Sequence, residues 1–209
     1  MNILRTIRLT AWGAVGVVGL LSFALALGWW QVDGSGRRDL SGGVDIKGVP
    51  QIGGSFTLVD HTGRTVTEKN YLGRPALVFF GFTNCPDVCP TTLFELTNRL
   101  KILGPLADRL QILFITADPE RDTPEQLALY LQSFDPRIVG LSGSREQIDD
   151  AIAAYKVVAR KAPLDGGGYN VDHTASVFMM DSNGRFAGAI DYHENYEMAL
   201  AKMQRLLAK

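Results

Sequence analysis

The stretch that most constrains this chain is Phe79-Phe80-Gly81-Phe82-Thr83-Asn84-Cys85-Pro86-Asp87-Val88-Cys89-Pro90-Thr91-Thr92, which holds both cysteines of the protein. Ahead of it, Ala76-Leu77-Val78-Phe79-Phe80 is an apolar, β-branched and aromatic run that predicts a buried strand. Behind it, Leu93, Leu96, Leu100 and Leu103 recur at steps of three and four, which predicts a helix over about 91–103. The thiols therefore fall where a central strand hands over to a helix, a place where open α/β sheets bind ligands.

Positions i and i+4 on a helix lie on one face with Cβ atoms about 5–6 Å apart. That separation permits a disulfide after modest bending, and it also lets two sulfurs reach one soft metal ion. Pro90 suits a first helical turn because its missing N–H would go unpaired there. The free N–H groups of such a turn favour thiolate over thiol. A purely structural disulfide explains the pair less well, since closing so short a loop removes little chain entropy. The C-x-x-x-C spacing alone leaves redox and metal chemistry both open.

Lys+Arg 21 against Asp+Glu 22 gives a net charge of −1, with no basic stripe, which argues against a nucleic-acid partner. From Leu9 to Val32 there is no charged residue, and residues 11–30 are long and apolar enough for a transmembrane anchor. Trp12 and Trp29-Trp30 sit at its two ends, as interfacial aromatics do. Ala24-Leu25-Ala26 resembles a signal-peptide cleavage site, but the apolar run continues through Trp30, which favours a retained anchor. Arg5, Arg8 and the amino terminus outweigh Arg37 and Arg38 by a small margin, so residues 1–10 are expected in the cytoplasm and the bulk of the chain outside it. There paired cysteines can be oxidised. Residues 31–50, rich in Gly and Ser, read as a flexible tether, and residues 51–209 as the folded domain.

Within that domain, Phe56–Val59 and Thr65–Thr67 flank a glycine turn and predict an N-terminal β-hairpin, with His61 a solvated turn residue. Further strands are expected at 76–82, 110–116, 138–141, 174–180 and 185–190. Helices are expected at about 124–134, where Thr123 caps Pro124, at 144–158, where Ser144 and Gln147 form a capping box, and at 194–207. The last carries Met198, Leu200, Met203, Leu206 and Leu207. Lys161 to Asp172, with Pro163 and Gly166-Gly167-Gly168, is expected as a mobile loop. The turn Asp118-Pro119-Glu120-Arg121-Asp122-Thr123 reads equally as a solvated capping loop or a functional surface. Of Met179 and Met180, on opposite faces of a strand, one is expected in the core. This order predicts an α/β fold, a thioredoxin-like mixed sheet flanked by helices.

Adding an imidazole turns a thiolate pair into a metal site. His173 precedes the expected strand at 174–180, and in a thioredoxin-like fold the residue opening that strand faces the cysteine turn. Ordinary thioredoxins have a cis-proline there, whereas this chain has Asp172-His173-Thr174. A soft S₂N set selects copper, since thiolates favour Cu(I) and imidazole also suits Cu(II). Zinc usually takes four ligands in a structural site. His193 reads as a surface residue.

Together, Gly81–Pro90, Asp118–Thr123 and Val171-Asp172-His173-Thr174 resemble the Sco/SenC family over roughly residues 51–208, and the anchor and tether fit as well. The resemblance implies a membrane-tethered copper chaperone of the inner (cytoplasmic) membrane, single-pass, with its domain facing the periplasm. It implies Cys85, Cys89 and His173 as copper ligands. It also implies a partner in the copper-receiving subunit of cytochrome c oxidase, whose dinuclear copper centre the family helps assemble, with other copper chaperones as further partners. Asp87, inside the motif, is assigned an orienting or shielding role and is not counted as a ligand. Thr174 stands where serine is common in the family. The alternative function is a thiol–disulfide oxidoreductase or redox sensor acting on a partner's cysteines. A peroxidase is disfavoured because Gly81 to Asn84 supplies no polarising Arg, Gln or Trp.

Overall fold

The computed structural model describes residues 51–208 and the helical pair Ser22 and Phe23. The expected anchor and tether otherwise lie outside the described residues, among which no helix is long and apolar enough to cross a membrane.

Seven strands form one mixed sheet. These are β1 (Thr57–Asp60), β2 (Thr65–Thr67), β3 (Ala76–Gly81), β4 (Gln111–Thr116), β5 (Ile138–Ser142), β8 (Val177–Met180) and β9 (Phe186–Ile190), in the order β2-β1-β5-β4-β3-β8-β9. The β3–β4 and β4–β5 pairs are parallel, and every other pair in this sheet is antiparallel. A separate antiparallel ribbon joins β6 (Ala159–Pro163) to β7 (Tyr169–His173). Within residues 51–208, four α-helices complete the fold: α1 (Val88–Leu103), α2 (Pro124–Leu131), α3 (Arg145–Ala154) and α4 (Tyr196–Leu207).

The central strand shows why both faces must be covered. Side chains alternate across a strand. Leu77 and Phe79 of β3 join a core with Leu93, Leu96 and Leu100 of α1, Leu127 of α2 and Met203 of α4. Ala76, Val78 and Phe80 join a second core with Leu58, Ile115, Ile148 and Tyr155. Each fully buried Leu or Phe contributes roughly 1.5–3 kcal/mol, so a strand apolar at every position is stable only between two layers. The expected thioredoxin-like architecture with its N-terminal hairpin is therefore observed.

Several local expectations are corrected. Helix α1 begins at Val88, earlier than expected, so Cys89 is inside it and Cys85 before it. Helix α3 stops at Ala154, and Lys156 then takes a left-handed conformation (φ 56°) that turns the chain into β6. The segment expected as a mobile loop holds the end of β6, the ribbon's turn and most of β7. Gly167 donates to the Leu164 carbonyl (2.9 Å), and both Gly167 and Gly168 have positive φ, so the glycines make the hairpin turn. Met179 and Met180 are both buried, one in each core. Met198 is exposed, and Ala199 takes the inward position on α4. His61 does lie in the hairpin turn but is half-buried and held: its Nδ1 accepts the Gly140 N–H (3.0 Å) and its own N–H donates to the Gly140 carbonyl (2.8 Å).

Candidate metal centre

Strand β3 delivers the cysteine loop to the carboxyl edge of the sheet. At its last residue, Gly81, a Cβ would lie 2.8 Å from Cys89 Sγ and 2.6 Å from the Phe114 ring, so only glycine leaves room for the sulfur. Beyond it, Thr83 is held by Asp122: its N–H donates to one carboxylate oxygen (3.0 Å) and its hydroxyl to the other (2.6 Å). The chain then turns through Cys85, whose N–H donates to the Phe82 carbonyl (3.3 Å). Helix α1 follows, and the Cys89 N–H in its first turn donates to Cys85 Sγ (3.4 Å).

Both cysteines are free thiols, Cys85 half-buried and Cys89 fully buried. Their ionisations split. The hydrogen bond with Cys89 outweighs burial, and with help from the Cys89 and Asp87 N–H groups it brings Cys85 down to about 4. The same bond, reinforced by burial, pushes Cys89 far up. At neutral pH the pair holds one proton, on the inner sulfur, and presents a thiolate on the outer one.

His173 ends β7 rather than opening the next strand, since β8 begins only at Val177. Its Nε2 lies 3.4 Å from Cys89 Sγ, and its Nδ1 lies 3.0 Å from the Thr174 carbonyl oxygen. A carbonyl can only accept, so Nδ1 carries the proton and Nε2 turns its lone pair toward the sulfurs. The ring also meets Phe82 edge-on (centroids 5.7 Å apart, planes at 88°) and Phe79 (6.1 Å, 64°). Thr174 uses its hydroxyl to accept the Val158 N–H (3.0 Å), a task serine could perform equally. The three donor atoms of Cys85, Cys89 and His173 lie within 4.8 Å of one another, at the edge of a cleft of about 260 Å³ that Asp87 and Asp172 also line. Bonds of about 2.3 Å to sulfur and 2.0 Å to nitrogen hold two donors of one ion no more than about 4.6 Å apart, so a shift of a few tenths of an ångström brings the set within reach of a single ion. Asp87 is exposed and takes a hydrogen bond from Thr91 Oγ1 (3.2 Å).

The turn after β4 is not a solvated loop. Asp118 and Asp122 are both fully buried. Asp122 accepts from Thr116 Oγ1 (2.7 Å) as well as from Thr83, and burial raises its pKa. Asp118 accepts the Tyr169 hydroxyl (2.8 Å) and pairs with Arg121. Gly81, Phe82, Asp118, Arg121, Asp122 and Tyr169 thus support the site without having been singled out as site residues in the sequence. His61, paired with β5, and the exposed His193 are not in the cluster. A larger cleft of about 630 Å³ is lined by Arg64, Arg74 and Arg137 and contains no cysteine or histidine.

Residues 44–208 match the SCO1/SenC family. The chain is 43% identical over 149 residues to the human "Protein SCO1 homolog, mitochondrial", covering 69% of this chain and 48% of that protein. It spans about half the length of that protein and of the fission yeast and zebrafish relatives it also matches. Among solved structures it is similar to Bradyrhizobium japonicum ScoI with copper bound (46% identity, TM-score 0.69, 74% of this chain and 99% of that one). It is also similar to yeast Sco1 with copper bound (38% identity, TM-score 0.69, 75% and 88%). With a family match across most of its length and a thioredoxin-like domain of the same build, the chain belongs to the SCO1/SenC family.

Proposed function

We propose that this protein is a membrane-anchored copper chaperone that carries copper as cargo on Cys85, Cys89 and His173. The cargo passes to the copper-receiving subunit of cytochrome c oxidase, in assembly of that enzyme's dinuclear copper centre. The observation that carries this reading is the imidazole: exchange between thiols does not need His173, yet its lone pair is turned toward the sulfurs by the bond at Nδ1. The donor set is two soft sulfurs and one imidazole, which suits both copper oxidation states. The copper-bound relatives named above support the same choice.

The chain's own residues prepare the site for loading. Cys85 already offers a thiolate, and Cys89 must release its proton for both sulfurs to bind. Because Cys85 and His173 are only half-buried, a partner's ligands can approach from the cleft side while the buried Cys89 keeps its hold. The apolar run at 11–30 supports a single-pass anchor in the inner membrane, with the domain in the periplasm, where a copper-receiving partner and an oxidising environment coincide.

The depressed Cys85 thiol favours a second reading, thiol–disulfide exchange with a partner's cysteines. Metal analysis and visible absorption of the purified full-length protein, before and after reduction, separate the two. The chaperone reading expects one copper per reduced chain, with a visible sulfur-to-copper charge-transfer band when the bound ion is Cu(II). Reduced protein that retains no copper overturns it and leaves the exchanger.

A further inference from the structure

One short turn holds both halves of the site. Through Asp122 it fixes Thr83, two residues before Cys85. Through Asp118 and Arg121 it grips the ribbon that ends in His173. Asp118 accepts the Tyr169 hydroxyl and is paired with Arg121 Nε, and Arg121 donates a second N–H to the Tyr169 carbonyl (3.1 Å). The guanidinium carbon lies 4.0 Å from the centre of the Tyr169 ring and 5.8 Å from that of Phe82. Its remaining amino nitrogen is buried with no hydrogen-bond partner among the described residues. Cations placed over ring faces are attracted by the π-system, so this nitrogen is compensated by aromatic faces rather than by oxygen.

The two rings lead to the imidazole. Tyr169 opens β7 and His173 closes it. Phe82 meets the imidazole edge-on. The ribbon does not pair with the seven-stranded sheet, and apart from Val171 the side chains of its two strands are exposed or half-buried. Its placement over the cysteine loop therefore depends heavily on this grip. Lys161, on β6, adds a contact to the same Tyr169 ring (4.6 Å) and an ion pair with Glu120 (3.1 Å). That pair is surface-exposed, and such pairs contribute little.

We propose that Arg121 is a positioning residue for the His173 imidazole: it locks Tyr169 and Phe82 in place and so sets the distance from the imidazole to the two sulfurs, without touching a ligand atom. This rests on the copper reading above. Partners that orient a ligating histidine typically change metal affinity about 10–100-fold when removed.

The test compares Arg121→Gln, His173→Ala and the double variant in the full-length protein. Copper affinity is measured by chelator competition. In isotope-labelled, metal-free protein, the nuclear Overhauser contact between the His173 and Phe82 rings is measured as well. Arg121→Gln should weaken copper about tenfold where His173 is present and have no further effect in the His173→Ala background, and it should abolish the ring contact. Arg121→Lys should not rescue, since an ammonium lacks the planar fork. Tyr169→Phe, which deletes only a hydroxyl, should move both readouts the same way by less, and it carries the same cycle if Arg121→Gln does not fold. Equal losses in both backgrounds, or an intact ring contact in the Arg121 variant, overturn the proposal. Unchanged affinity in His173→Ala alone overturns the copper reading instead, while the metal-free ring contact still decides the role of Arg121.

Discussion

Cys89 and His173 are 84 positions apart in the chain, yet the sulfur of one lies 3.4 Å from Nε2 of the other. The first is fixed in the opening turn of α1, packed beneath β3, and the second ends a ribbon outside the main sheet. Two pieces distant in sequence thus bring unlike donors to one point. A dithiol built only for exchange does not require that convergence, which is why the imidazole decides between the two functional readings.

His173→Ala should weaken Cu(II) binding by more than about 100-fold, above the range for outer partners of a ligating histidine. The Cys85–Cys89 disulfide should still form, because both sulfurs remain in place. Chelator competition together with thiol counting after mild oxidation checks both halves. Unchanged copper affinity contradicts the three-donor site.

Cys85 ionises at about 4 in the folded chain, against roughly 8.5 for an unfolded cysteine, while Cys89 moves the opposite way. Between those pH values the folded pair holds one proton and the unfolded pair two. The pair's contribution to the stability of reduced, metal-free protein therefore grows from about pH 4 to about pH 8.5, and it declines above that, where the unfolded chain loses both protons. Iodoacetamide should label Cys85 at a rate that is flat from pH 8 to about 5 and halves near 4, with Cys89 spared by its burial. Peptide mass mapping across pH reads this directly, and a rate that climbs through pH 8–9 contradicts it.

Gly81→Ala places a methyl 2.8 Å from Cys89 Sγ and 2.6 Å from Phe114 in a fully buried strand. Overpacking of this kind costs about 1–3 kcal/mol. Chemical denaturation should register that loss, and copper affinity should fall with it because the displaced sulfur is a proposed ligand. Stability and affinity both equal to wild type would show that the sulfur has more room than the geometry gives it.

Asp122→Asn keeps the shape but leaves one acceptor oxygen where two now serve three donors: the Thr83 hydroxyl on one, the Thr83 N–H and the Thr116 hydroxyl on the other. Leaving buried donors unmatched costs about 1–3 kcal/mol. A lowered urea midpoint with unchanged slope is the expected result. Faster amide exchange at Thr83 should accompany it, and a midpoint equal to wild type contradicts the assigned role.

The parts of the fold that could be read from the sequence are those in which burial imposes a period. Strand β3 and helix α1 show it, with Leu77 and Phe79 on one face and Leu93, Leu96 and Leu100 beneath them. The caps at Thr123 and Ser144 were legible too, since each accepts an N–H three residues on. The ribbon was not. Of its two strands only Val171 is buried, so no alternation marks them, and Pro163 with the three glycines points to a loop. The turn holding Asp118 and Asp122 stayed open between solvated loop and functional surface for a related reason. Carboxylates are rarely buried unless paired. The partners that justify burial here, Tyr169 and Thr83, lie 51 and 39 positions away, beyond the reach of local pattern. At the site itself the two sulfurs and the imidazole were legible as candidates, but the supports at Gly81, Phe82, Arg121 and Tyr169 emerge only from tertiary packing.

The separateness of the ribbon has a mechanical consequence. A carrier must grip its cargo and also let go, and a coordination sphere is surrendered most cheaply one ligand at a time. With the imidazole on a ribbon that does not pair with the main sheet and the sulfurs on the cysteine loop and α1, lifting the ribbon draws Val171 out of the first core but leaves the second core and the pairing of the seven-stranded sheet intact. The free energy of unloading is thereby separated from the free energy of unfolding.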